Sequence, residues 1–168
     1  MRVLIVDDES LIRMDLRDII ESCGHEVVAE GTNGVEAIQL CKQHKPDIIL
    51  MDVKMPELDG IEAARQIGFH HEAPVVLLTS YSQQDLIDKA RDSGVYGYLI
   101  KPVREEQLVP TLEMALGRYK SDAQLREKMA ELEQSLEDRK IIQKGTGLLM
   151  ELYSISEEEA YNLSLIHI

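Results

Sequence analysis

The chain has 168 residues and a formal net charge of -13, from 18 basic and 31 acidic side chains. That length holds one ordinary domain plus an appendage, while two full domains would be crowded. The acidic balance persists on both sides of residue 103, with 10 basic against 18 acidic residues before it and 8 against 13 after it, so no basic stripe advertises nucleic acid.

Strand and helix patterns alternate five times. Val3-Leu4-Ile5-Val6 reads as a buried strand, and Leu11, Ile12, Leu16, Ile19 and Ile20 then recur at helical spacing until Gly24 stops the helix. Val27-Val28-Ala29 is a second strand, followed by a helix through Val35, Ala37, Ile38 and Leu40. Pro46 precedes a third strand, Ile48 to Met51, which runs into Asp52; Met55-Pro56 and Asp59-Gly60 are turn chemistry leading to a short helix near Ile61 to Ile67. Val75 to Leu78 is the fourth strand, a helix follows over about 83–92, and Val95 to Ile100 is the fifth strand. Continuous apolar strands alternating with helices predict a parallel sheet covered on both faces. Right-handed crossovers then favour the flavodoxin-like order 2-1-3-4-5.

Beyond Lys101-Pro102 the character changes. Leu108, Leu112, Leu116 and Tyr119 are followed by Leu125, Met129, Leu132 and Leu136, spaced 4-3-4 among charged residues, over one long helix from Arg104 to about Gln143. Such a helix outruns what the small domain can cover. It is either a solvated charged helix with a thin apolar stripe or part of a two-stranded coiled coil. Pro110 should bend or loosen its early turns, and Gly145-Thr146-Gly147 breaks the periodicity. Ser156 and Glu159 have the form of a capping box, so another helix should begin there.

No apolar segment approaches membrane-spanning length, and Val3 to Val6 is too short for a secretory signal, so a cytoplasmic protein with no membrane contact is expected. Cys23 and Cys41 each sit in a helical pattern and read as small buried or half-buried thiols. His70 and His71 are adjacent without ligand-spaced cysteines and read as loop residues.

Four strands end in a residue with useful chemistry: Asp7-Asp8, Asp52, Thr79 and Lys101. Each has an ordinary explanation alone, Asp7 or Asp8 as a helix cap, Thr79 as a strand-exit residue, Lys101 as a snorkelling surface lysine. Their joint placement is different, because ligands of open parallel sheets bind at the carboxyl ends of strands. Three carboxylates crowded there repel by roughly 4 kcal/mol per pair at about 4 Å and an effective dielectric near 20, so they call for a cation. Oxygen ligands with room for water suit Mg²⁺. Lysine and threonine beside them would meet an anion arriving on Asp52, and the chemistry inferred is phosphoryl transfer to that carboxylate.

Asp7-Asp8, Asp52-x-x-Met55-Pro56-x-x-Asp59-Gly60, Thr79 and Tyr98-x-x-Lys101-Pro102 resemble the receiver domain of bacterial two-component response regulators, over about residues 1–120. The resemblance implies a flavodoxin-like (βα)5 fold, Asp52 as phosphoacceptor, a sensor histidine kinase as donor, and Mg²⁺ held directly by Asp8 and Asp52. It further implies that Lys54 lends a backbone carbonyl to that ion, that Asp7 acts through water, that Thr79 and Tyr98 form a switch pair, and that Lys101-Pro102 is a cis bond. Lys54 and Tyr81 occupy flanking positions that vary among receivers.

Asp138-Arg-Lys-Ile-Ile-Gln-Lys144-Gly-Thr-Gly147-Leu-Leu-Met150, with Ser156-Glu-Glu-Glu-Ala160-Tyr161, is similar to the start of the ANTAR module, the RNA-binding output of antitermination regulators. Gly145-Thr146 departs from that family, which usually has a small and a basic residue there; the third helix of the module is missing, and Ser164 to Ile168 does not continue the pattern. The expected organisation is a receiver over 1–120, a helical coiled-coil linker over 121–143, a partial ANTAR-like segment over 138–163 and a non-native tail over 164–168. Phosphorylation is expected to promote a homodimer through the helix after Arg104, with the output modules on RNA hairpins. Three rivals remain: a hydrolase using Asp52 as nucleophile, which lacks a second acid or base and a lid; a DNA-binding output, disfavoured by the net charge of -5 over 104–168; and a receiver acting through protein contacts alone.

Overall fold

The computed structural model describes residues 1–80, 85, 88, 90 and 94–167. Apart from those three single positions, the helix expected over 83–92 lies outside the described residues, as does Tyr81. Five parallel strands, β1 (Arg2–Val6), β2 (Glu26–Gly31), β3 (Ile48–Asp52), β4 (Val75–Thr79) and β5 (Val95–Ile100), lie in the order β2-β1-β3-β4-β5. Between them run α1 (Ser10–Ser22), α2 (Gly34–His44) and α3 (Gly60–Phe69), and after β5 come α4 (Glu105–Tyr153) and α5 (Glu157–His167).

The unbroken apolar character of β1, β3 and β4 has its cause in two cores, one on each face of the sheet. Leu4, Val6, Ile49, Met51, Val75 and Leu77 pack against Ala37 and Cys41 of α2 and Ala63, Ala64 and Ile67 of α3. The alternate residues Val3, Ile5, Ile48, Leu50, Val76 and Leu78 pack against Leu16 and Ile20 of α1 and Leu108, Leu112 and Ala115 of α4. Buried on both sides, these strands have no polar face to alternate with. Cys41 is buried and Cys23 half-buried, both as free thiols.

Local chemistry sets the helix boundaries. Asn33 and Asp59 cap α2 and α3 by accepting the N–H groups of Glu36 (2.9 Å) and Glu62 (2.8 Å). Ahead of α1 the cap residue is Glu9, which makes no side-chain cap bond. Gly24, at φ 81°, takes the left-handed turn after α1.

The chain divides into two compact units, Met1–Ser121 and Asp122–Ile168. One expectation for the later residues needs correction. Gly145-Thr146-Gly147 does not interrupt α4, which runs on to Tyr153 and stops where Ser154 adopts φ 53°. Each glycine costs a helix about 1 kcal/mol relative to alanine, but α5 offsets this by packing back: Ala160 and Ser164 are buried, and a Cβ at Gly145 would stand 3.7 Å from the Ser164 Cβ. Pro110 lies within α4, six residues into it. The capping box forms as expected, with Ser156 N–H donating to Glu159 at 3.1 Å and Glu159 N–H to the Ser156 hydroxyl at 3.3 Å. Residues 164–167 continue α5, and Ser164 donates its hydroxyl to the Tyr161 carbonyl at 2.7 Å. Among the described residues no helix is long and apolar enough to cross a membrane.

Candidate functional site at the strand ends

β1, β3, β4 and β5 run parallel, so the residues leaving their carboxyl ends meet on one edge of the sheet. Asp7 follows β1, Asp52 ends β3, Thr79 ends β4 and Lys101 follows β5. Asp7 is fully buried, Asp52 and Thr79 nearly so, and Asp8 is exposed. One carboxylate oxygen from each of Asp7, Asp8 and Asp52 falls within 4.8 Å of the others. The Lys101 Nζ donates to Asp7 Oδ2 at 2.8 Å and stands 3.3 Å from Asp52 Oδ1. Charged groups out of water need such pairing.

Backbone contacts hold the cluster. The other Asp7 oxygen accepts the Glu9 N–H at 2.9 Å, so this side chain braces its own turn and does not cap α1. Val53 N–H donates to the Leu78 carbonyl (3.1 Å), and Lys101 N–H to the Thr79 carbonyl (2.8 Å), tying β3 to β4 and β4 to the lysine. The Lys101-Pro102 bond is cis. The Thr79 hydroxyl donates to the Ser80 carbonyl at 2.8 Å. Tyr98 lies on β5 with its ring exposed, and Lys54 is exposed in the loop two residues beyond Asp52.

Burial pushes the Asp52 carboxyl above its ordinary range; Lys101 pulls the other way and Asp7 adds to the rise. For Lys101 burial acts to lower the ammonium, but the hydrogen bond to Asp7 and the attraction of Asp52 outweigh it and hold the group above the ordinary lysine range. The lysine is therefore a fixed positive charge, and Asp52 is a carboxylate whose ionised form is poorly compensated by protein alone. Three oxygen donors, one of them open to solvent, are the donor set that a hard divalent cation with retained waters takes, and Mg²⁺ fits it.

Two contributors escaped the sequence reading. Gly60, taken only as turn chemistry, is where α3 abuts the end of β3: a Cβ there would collide with the Asp52 carbonyl oxygen. Arg13 of α1 donates to the Asp7 carbonyl at 2.7 Å. Its one sequence signal is a helical pairing with Arg17, four residues on, opposite the acidic Glu30 of β2.

The family model for the response regulator receiver domain matches residues 3–113. The chain belongs to the response regulator receiver family. A second family model, for the ANTAR domain, matches residues 130–163. Among curated proteins, the chain is 44% identical over 160 residues to the transcriptional regulatory protein PdtaR of Mycobacterium tuberculosis, covering 95% of this chain and 78% of that protein. It is 40% identical over 112 residues to the chemotaxis protein CheY of Thermotoga maritima, covering 66% of this chain and 93% of that one. Among solved structures, the signal receiver domain of a modulated diguanylate cyclase from Desulfovibrio desulfuricans superposes with a TM-score of 0.67 at 34% identity, over 72% of this chain and 97% of that one. This response regulator therefore joins a receiver to an ANTAR-type output, and its relatives are signalling and regulatory proteins.

Proposed function

We propose that the protein is a two-component regulator switched by phosphorylation of Asp52, and that its output binds RNA to control transcription antitermination. The observation that carries the first part is the meeting of Asp7, Asp8 and Asp52 within 4.8 Å beside the Lys101 ammonium. Asp8 and Asp52 would hold Mg²⁺ directly, with the Lys54 carbonyl, and Asp7 through water. When bound, the ion supplies positive charge against the transferring phosphoryl oxygens. An Asp52 carboxylate oxygen forms the new bond to phosphorus while the bond to the histidine nitrogen of a sensor kinase breaks, and that nitrogen recovers a proton. Lys101, 3.3 Å from Asp52, is placed to pair with a phosphoryl oxygen. The Thr79 hydroxyl, now spent on the Ser80 carbonyl, would turn to the new anion and let Tyr98 move inward. Moving such a switch from 1:99 to 99:1 takes about 5.5 kcal/mol, within reach of charge-assisted bonds plus a new helix interface.

The second part rests on the ANTAR match and on the groove between α4 and α5, of about 980 Å³, where Arg139, Gln143 and Tyr161 meet. A cation, an amide and an exposed aromatic suit phosphate, base edge and base stacking in single-stranded loops. Phosphorylation would pair two chains through the helix after Arg104 and present two output modules to hairpin RNA in the cytoplasm.

Intact mass after incubation with acetyl phosphate and Mg²⁺ tests the site: the parent should gain one phosphoryl group and Asp52→Ala none. Equal labelling of both would overturn the assignment. Binding of the phosphorylated chain to hairpin RNA and to duplex DNA tests the output, and preference for DNA would refute it.

A further inference from the structure

The Asp7 carboxylate is held by Lys101 and the Glu9 N–H, but its backbone carbonyl is claimed from a different direction. Arg13 reaches up from α1 and donates through Nη1 to that carbonyl at 2.7 Å, while its Nε donates to Glu30 Oε2 at 3.2 Å. The arginine side chain is only 16% exposed, so this geometry is fixed by packing as well as by charge. Glu30 in turn is gripped by Arg17 at 2.6 Å, and Arg17 also pairs with Glu21 at 2.9 Å. Burial works to raise the Glu30 carboxyl, yet the hydrogen bonds from Arg17 and Arg13 more than offset it and leave it below the ordinary carboxylate range, the mark of a standing ion pair. One guanidinium thus bridges the exit of β1 to the edge strand β2.

We propose that Arg13, anchored by Glu30, is a positioning residue that fixes the Asp7-Asp8 turn and so sets how tightly the acid cluster takes Mg²⁺. The inference rests on the reading of that cluster as the Mg²⁺ site. Two physical effects of removing Arg13 have opposite signs, which makes the idea decidable. As a cation held on the Asp7 backbone, Arg13 repels a divalent ion in the cluster, so its loss should tighten binding on electrostatic grounds alone. As the tie on the Asp7 carbonyl, its loss frees the turn that carries two of the three acids and should weaken binding.

Calorimetric titration of the full chain with MgCl₂ at fixed ionic strength, beside thermal melts without the ion, separates these. Arg13→Met is expected to bind Mg²⁺ about tenfold more weakly, as loss of an outer-shell support typically does. Arg17→Met removes the same charge and a partner of the same Glu30 without touching Asp7, and should bind as the parent or tighter. Arg13→Lys should recover part of the loss, and Glu30→Gln, which leaves Arg13 in place but unanchored, should fall between and covers the case in which Arg13→Met does not fold. Binding by Arg13→Met as tight as the parent's, or equal weakening in Arg13→Met and Arg17→Met, would overturn the positioning role. A parent chain that binds no Mg²⁺ would refute the reading of the cluster itself, and the inference with it.

Discussion

Gly60 opens α3 with its Cα pressed so close to the Asp52 backbone that a Cβ would overlap the Asp52 carbonyl oxygen and stand 3.1 Å from the Val53 Cα. Its N–H donates to the Val53 carbonyl at 2.9 Å, so the start of α3 and the end of β3 are one rigid corner. Nothing in the contact is the end of a flexible side chain that could swing away. Gly60→Ala should therefore cost about 1–3 kcal/mol or more, as overpacking does, and should displace the residue that carries the candidate nucleophile. A urea melt reads the first effect and acetyl phosphate labelling the second. An unchanged midpoint would contradict the collision.

Asp52 ties the stability of the fold to pH. Its folded pKa lies above the unfolded value, because burial outweighs the help of Lys101. A group of that kind favours the folded state fully below its unfolded pKa, and the contribution is lost as pH rises through the folded pKa. At neutral pH the ionised side chain opposes folding. Asp52→Asn, which keeps the shape without the charge, should melt at a higher temperature than the parent near neutrality in the absence of divalent ions, with the difference shrinking under acid conditions. Mg²⁺ should narrow the gap by stabilising the parent alone. A variant that melts lower than the parent at neutral pH would show instead that Lys101 more than compensates the buried carboxylate.

The strand-end acids were legible in the sequence because β1 and β3 are buried and so announce themselves as continuous apolar runs that end at the sheet edge, while Lys101 was legible from the less buried run of β5 that precedes it. The Ser156–Glu159 cap was legible for a similar reason, since both halves of the box lie three residues apart. Contacts between distant segments made away from the strand ends were not. Arg13 and Glu30 are 17 residues apart and meet only because α1 folds back across β2. Gly60 looked like a turn residue because an Asp-Gly pair after a strand carries no mark of what its Cα will touch. The break assigned to Gly145 and Gly147 failed because helix propensity is a weak prior, and the packing of α5 over that turn overrides it.

The two cysteines should behave as different reagents. Burial pushes the Cys41 thiol up to about 12, and the Glu72 carboxylate adds to the rise. Only about one molecule in 10⁵ would carry the reactive thiolate near neutral pH, even before access is considered. Cys23, at the end of α1, is half-buried. A chromogenic disulfide should titrate one thiol per native chain quickly and the second only on unfolding, and Cys23→Ser should abolish the fast phase. Two fast equivalents would mean that α2 and α3 open far more readily than their shared core suggests.

Leu125, Met129, Leu132 and Leu136 on α4 are 55–65% exposed, and their 4-3-4 spacing places them on a single seam. If a second copy covers that seam in parallel and in register, Met129 and Leu136 occupy the a positions and Leu125 and Leu132 the d positions. Lys128 then falls at g and Glu133 at the following e, a pairing that is attractive between the two chains on both sides of the seam. An antiparallel arrangement would bring each Met129 opposite a Leu132 instead. In a Cys23→Ser background, Met129→Cys should form a disulfide-linked dimer under mild oxidation, and more of it after acetyl phosphate and Mg²⁺, while Gln134→Cys on the outer face should not. Leu132→Glu should leave the chain monomeric by sedimentation without lowering its melting temperature, because Leu132 is 65% exposed and its loss removes little from the core. Failure of Met129→Cys to cross-link, with or without phosphorylation, would exclude the parallel seam.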